Sequence, residues 1–287
     1  MKHYRVKRIE ETFFRGLMLF SAAVIIIALL LILISIIVNG LPHLSWEMIS
    51  QTPRGGFYFG KEGGVLNAIV GSAFLATGSV FLAFIIGLPV ALFMNIHLVA
   101  NRKLVNSIRF LLDLMWGVPS IVYGAFGFTL MLFFGFRTSL LAGIITVSLF
   151  ILPIMIRAID EVVRTIPRGL LESSFSLGST RSEIAYKVYI RQCVPGIVTA
   201  ALLSFGRAIG DAASVLFTTG YSDHIPTSPG QPTATLPLSV FFQLSSPIPE
   251  VRNRAYASAL ILTFIVLLIS FLARYSMKRF QKHKTKG

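Results

Sequence analysis

Charge is scarce in this 287-residue chain: charged residues make up 13 % of it, against 54 % hydrophobic. That balance excludes an ordinary soluble globular domain. Cysteine occurs once, at Cys193, which rules out an intramolecular disulfide and any cysteine-based metal cluster. Histidine is equally thin, and His3, His43, His97, His224 and His283 are scattered among tails and loops. Neither a metal centre nor a catalytic triad assembles from such a pattern. No Gly-x4-Gly-Lys-Ser/Thr phosphate loop occurs, so any nucleotide energy has to come from a partner. The chain therefore reads as a non-enzymatic component without a cofactor. It also lacks sustained strand alternation and any convincing internal repeat.

What is present is apolar length. Runs free of charge cover 16–46, 63–101, 114–136, 138–156 and 255–273, and a sixth, 192–222, is interrupted only by Arg207 and Asp211. Each is long enough to cross a hydrocarbon core of roughly 30 Å as a helix, the element lipid favours because it leaves no backbone group open. The reading is an all-α integral membrane protein with six transmembrane helices, at about 16–38, 66–96, 110–135, 138–157, 196–220 and 255–275. These form one membrane domain, 16–275, between basic tails at 1–15 and 276–287. The amino-terminal run is too long for a secretory h-region and no small-x-small cleavage site follows it, so it reads as a retained span.

Basic residues sort to one side. The two tails, Arg102, Lys103 and Arg109 after the second span, and Arg157, Arg164, Arg168, Arg181, Lys187 and Arg191 beside the 159–195 loop share a face. The opposite face holds only Arg54, Lys61, Arg137, Arg252 and Arg254. By the positive-inside tendency both termini and the 159–195 loop are cytoplasmic, in a cell (inner) membrane. The outer loops are 39–65 and 221–254, the latter rich in proline from Pro226 to Pro249 and ordered around turns or a short re-entrant piece. A net charge of +14 is thus an orientation signal, and nucleic acid is not a partner: the charge lies in short juxtamembrane pieces. Gly71, Gly78 and Gly87 in the second span, and Gly117 with Pro119 in the third, fit tight helix packing or a gating hinge.

Two segments carry the functional signal. In the 159–195 loop, Pro167 suits a helix start, Glu172, Ser173 and Ser174 follow, and Gly178 stands where a short helix stops. Arg181 to Arg191 then reads as a basic amphipathic helix with Ile184, Val188 and Tyr189 as its apolar members. Such a helix–glycine–helix elbow fits a groove on a partner protein, or lies on anionic lipid. In the fifth span, Arg207 and Asp211 are four apart on one helical face, near mid-membrane. A lone arginine there costs about 2.5–3.5 kcal/mol on insertion scales, so it faces protein or water. The two form either a structural ion pair or a switchable anion gate, since a guanidinium fork matches an oxyanion. Arg157 is a second pathway candidate or an ordinary snorkelling residue, and Asp113 suits a helix-end or intersubunit contact.

The segment Glu172-Ser-Ser-Phe-Ser-Leu-Gly178 resembles the Glu-Ala-Ala-x-x-x-Gly loop of ABC importer permeases. Gly63-Gly64-Val-Leu-Asn-Ala-Ile-Val-Gly71, Gly117-Val-Pro-Ser-Ile-Val122, Arg164-Thr-Ile-Pro-Arg168 and Gly206-Arg-Ala-Ile-Gly-Asp211 are together similar to phosphate-importer permeases of the PstA type, in order from about residue 10 to 275. The resemblance implies a type I ABC importer permease fold for half a phosphate pathway, with Glu172, Ser173, Ser174 and Gly178 docking in a cleft of an ATPase. It also implies a sister permease, a two-copy ATP-binding subunit and an extracytoplasmic phosphate-binding protein, besides membrane lipid. Three positions depart from the pattern: serines 173 and 174 replace alanines, Ile190-Arg191 replaces Leu-Pro, and Asp211 replaces a glutamate. The rivals are a permease for sulfate, molybdate or phosphonate, and a stand-alone secondary transporter or channel, for which one intramembrane acid is a thin coupling site.

Overall fold

The computed structural model describes residues 2–54 and 62–281. Met1, residues 55–61 of the outer loop and 282–287 of the basic tail lie outside that description, as do the side chains of residues 2–6, 8, 9, 62, 168 and 276–281. Among the described residues five helices are long and apolar enough to cross a membrane, and a bent pair makes up to six if it is counted as one broken span. Helix α1 (Lys2–Gly40) carries the amino-terminal tail and the first span as one rod. Its apolar side chains, such as Phe20 and Ile25, are exposed in this chain. It meets the body at its far end, where Gly40 has no Cβ to strike the Tyr256 carbonyl.

A helical turn at Leu41–His43, α2 (Trp46–Ser50) and a two-residue hairpin pairing Pro53 with Gly63 lead into α3 (Leu66–Ile96). This helix buries Ala68, Ser72, Ala76, Ser79, Ala83, Gly87 and Ala91, a stripe of small residues at three- and four-residue spacing. Such a stripe lets a neighbouring backbone come close. The neighbour is α6 (Leu140–Arg164), running parallel: Ile144 fills the space over Gly78, and Met155 and Ile156 that over Gly87. Packing, and not hinging, accounts for these two glycines.

The third span differs from the continuous helix that 110–135 predicts. It is two helices, α4 (Arg102–Gly117) and α5 (Ser120–Phe134), bent by 93°. Pro119 offers no amide donor and holds Val118 extended, at φ −71° and ψ 129°, so the first helix cannot continue.

Beyond α6 the chain forms the elbow, α7 (Arg168–Ser176) and α8 (Arg181–Glu183). It re-enters the bundle through a widened turn, Ile184–Tyr189, into α9 (Ile190–Ile209). Here too the structure overrides the sequence expectation: the fifth helix stops at Ile209 and does not reach 220. Asp211 ends it, because its carboxylate accepts the Ser214 amide at 2.8 Å and favours a turn over another helical residue.

The segment after the break folds back over the start of α6. Carbonyls of Thr218, Gln231 and Pro229 accept the amides of Ser139, Leu140 and Leu141, satisfying donors that a helix start leaves open. The outer loop then forms α10 (Leu236–Leu244), and α11 (Pro249–Gln281) closes the chain. Two apolar cores result: one through the bundle, centred on Leu75, Ile151, Met155 and Ile159, and a smaller one at the far end around Met48, Val65 and Leu236.

Candidate functional site

The elbow is built by local rules. Pro167 precedes α7, and Gly178 ends it with φ +79°, a left-handed conformation that side chains disfavour. Thr180 and Glu183 form a reciprocal capping box that starts α8, and Lys187 pairs with Glu183 at 3.0 Å. The hydroxyls of Ser173 and Ser174 donate to the carbonyls of Gly169 and Leu170 at 2.7 and 2.6 Å. Folded onto their own helix, they present a surface much like alanine's. Glu172 is exposed, and Leu170, Phe175 and Leu177 project around it, Leu177 being 86 % exposed.

The apolar members of the second helix go elsewhere. Ile184 and Tyr189 are buried in the bundle core, with Val188 packed against it, so that face is used by protein and not by lipid. Arg181 donates to the His97 carbonyl at 3.0 Å and ties the elbow to the end of α3.

Just inside the elbow lies an ionic hub. Asp160, near the end of α6, is fully buried and accepts from Arg109 Nε and Nη2, both at 2.9 Å. Asn95 Nδ2 donates to the same carboxylate at 2.7 Å, and Arg157 Nη1 donates at 3.1 Å. Arg157 Nε also lies 2.7 Å from Asp113 Oδ1, with its N–H not aimed along that line, so this contact is coulombic. Two guanidinium groups and two carboxylates thus balance, and they join α3, α4 and α6. Arg157 is therefore more than a snorkelling residue, and Asp113 has its partner within the chain.

Mid-depth, the sequence-derived pairing fails. Among the described residues Arg207 makes no ion pair or hydrogen bond; its guanidinium carbon lies 4.9 Å over the centre of the Phe150 ring. Asp211 is buried and spent on the Ser214 amide. Four-residue spacing brings side chains together only where the helix continues, and α9 has ended between them. Phe150 sits about 15 Å from one end of α6 and about 21 Å from the other, so Arg207 is near the middle of the bundle. It is also in the last turn of α9, where the helix dipole favours a cation.

Sequence reasoning missed Asp160, Asn95, Phe150 and Tyr123. The three-residue spacing of Arg157 and Asp160 on one helical face was a usable signal; nothing local marked the other three.

These features are five apolar helices of membrane-crossing length with a bent pair, a protruding elbow, and a mid-bundle guanidinium without an ion pair or hydrogen bond among the described residues. The chain belongs to the binding-protein-dependent transport system inner membrane components, whose family model matches residues 85–286. The phosphate transport system permease protein PstA of Yersinia pestis is 32 % identical over 250 residues, covering 86 % of this chain and 82 % of that one. A probable phosphate transport system permease protein PstA of Methanocaldococcus jannaschii is 29 % identical over 283 residues, 97 % of each chain. Among solved structures, the inward-facing MetNI methionine ABC transporter matches with a TM-score of 0.62 at 21 % identity, over 75 % of this chain and 95 % of that one. A bacterial alginate ABC transporter matches with a TM-score of 0.61 at 14 % identity, over 93 % and 96 %. The fold is that of a type I ABC importer permease.

Proposed function

We propose that this chain is the permease subunit of an ATP-driven importer of inorganic phosphate and forms half of its translocation pathway. The observation that carries the reading is Arg207, an exposed guanidinium at mid-depth whose donors meet no acceptor among the described residues. Lipid cannot host it cheaply, and its fork of donors suits a tetrahedral oxyanion. The phosphate named in the relatives supplies the anion. Arg157 lies about 10 Å nearer the elbow along α6. It serves as a second station, with the half-exposed Asp113 as the partner that gives way. Asp211 belongs to the pathway as the residue that sets the turn opening the end of α9.

The elbow, with Glu172, Ser173, Ser174 and Gly178, docks on an ATP-hydrolysing subunit present in two copies. Its exposed Leu170, Phe175 and Leu177 supply apolar contact. Hydrolysis stays in that subunit. A sister permease completes the pathway, and an extracytoplasmic phosphate-binding protein delivers the substrate. Both termini and the elbow are cytoplasmic on the distribution of basic residues. Because α6 and α9 flank the elbow, a pull on it moves Arg157 and Arg207 together, the rigid-body element alternating access needs.

The test is radiolabelled phosphate uptake by the reconstituted complex, with arsenate and sulfate as competitors. Arg207→Gln abolishes uptake while the subunits still co-purify. Uptake at the unmodified rate would remove Arg207 from the pathway, and competition by sulfate as strong as by arsenate would favour a permease for another oxyanion.

A further inference from the structure

We propose that Phe150 is a positioning residue for transport: its ring face seats Arg207 so that the guanidinium keeps its charge and donors for the travelling anion. This rests on the reading of Arg207 as a pathway residue and goes beyond it by naming what holds the group. A carboxylate partner would take two of the five N–H donors and cancel the charge, and an arriving phosphate would first have to break that pair. A ring face attracts the cation through its quadrupole yet accepts no hydrogen bond in the plane of the fork. The seat therefore stays occupied while the anion binds.

The geometry fits a fixed seat. Phe150 is 4 % exposed and lies on α6, whereas Arg207 comes from α9. A third helix braces the ring: Tyr123 of α5 meets it in an edge contact at 5.6 Å and 62°. The Tyr123 hydroxyl in turn donates to the Met115 carbonyl at 2.9 Å, across the 93° bend between α4 and α5. Arg207, Phe150, Tyr123 and the bend thus form one contact chain. The end of α9 adds its negative dipole beneath the same cation.

The experiment replaces Phe150 with mono-, di- and trifluorophenylalanine in the complete reconstituted transporter. Fluorine drains the ring face while leaving shape and packing nearly unchanged. The expected result is a stepwise rise in KM for phosphate, reaching about fivefold, the equivalent of ~1 kcal/mol. Phe150→Leu matches or exceeds that rise, Phe150→Trp restores the unmodified KM, and co-purification of the subunits is unchanged throughout. A KM that is flat across the fluorine series overturns the proposal, because a packing role alone ignores ring electrostatics. The two readings fail separately. Loss of uptake in Arg207→Gln with a flat series removes only the Phe150 seat, whereas normal uptake in Arg207→Gln removes the pathway reading and the seat with it.

Discussion

Replacing Asp160 by asparagine is the most demanding perturbation the structure offers. The substitution preserves shape but removes the negative charge between Arg109 and Arg157, and it turns one acceptor into a donor facing their N–H groups. Four polar contacts of 2.7 to 3.1 Å converge on this carboxylate, which has no exposed surface. Breaking a buried ion pair by removing one partner costs about 3–5 kcal/mol. The two guanidinium side chains are 20 % and 24 % exposed, so water screens part of the loss and the lower end applies. With an unfolding entropy of about 2.1 cal/mol/K per residue, ~3 kcal/mol in a 287-residue chain lowers the thermal midpoint by about 5 °C. The assay is thermal unfolding of the detergent-solubilised subunit, run as a double-mutant cycle with Arg109→Met. The double mutant should cost clearly less than the two single changes together, since each leaves the other's partner stranded. A destabilisation by Asp160→Asn below ~0.5 kcal/mol, or strict additivity, would show that the hub is a solvated surface pair.

Further predictions concern the elbow. Gly178→Val places a β-branched residue at φ +79°, where even an unbranched side chain costs about 1–2 kcal/mol. The elbow is remodelled, and phosphate-stimulated ATPase activity of the complex falls while membrane insertion persists; unimpaired stimulation would count against the docking role. Ser173→Ala with Ser174→Ala leaves uptake within about twofold, because both hydroxyls are occupied on their own helix. Ser174→Leu, which adds bulk beside the exposed apolar cluster, should instead abolish co-purification of the ATPase subunit. A loss of uptake in the double alanine variant would mean that those hydroxyls reach a partner after all.

Several elements were legible because their causes are local. Charge-free length marks α1, α3, α6 and α11, and the Pro167 and Gly178 signals mark the elbow, since helix starts and left-handed glycine turns act within a few residues; the Thr180–Glu183 capping box emerged only in the structure. Gly117 with Pro119 announced a bend, but not its 93°. That angle depends on what the two halves pack against. The end of α9 was misplaced because apolar composition continues past it. A single carboxylate reaching a backbone amide three residues on outweighed nine further residues of apparent span.

Composition and charge pattern were enough to place this protein in a membrane, to sort its basic faces and to mark one long polar loop. Only the tertiary structure decided who holds the arginines. Asp160 meets partners 51 and 65 positions away in the chain, and Arg207 rests on a ring from another helix. Such contacts follow from the register in which α3, α6 and α9 lock together. That register depends on how their surfaces interdigitate, and no local periodicity encodes it.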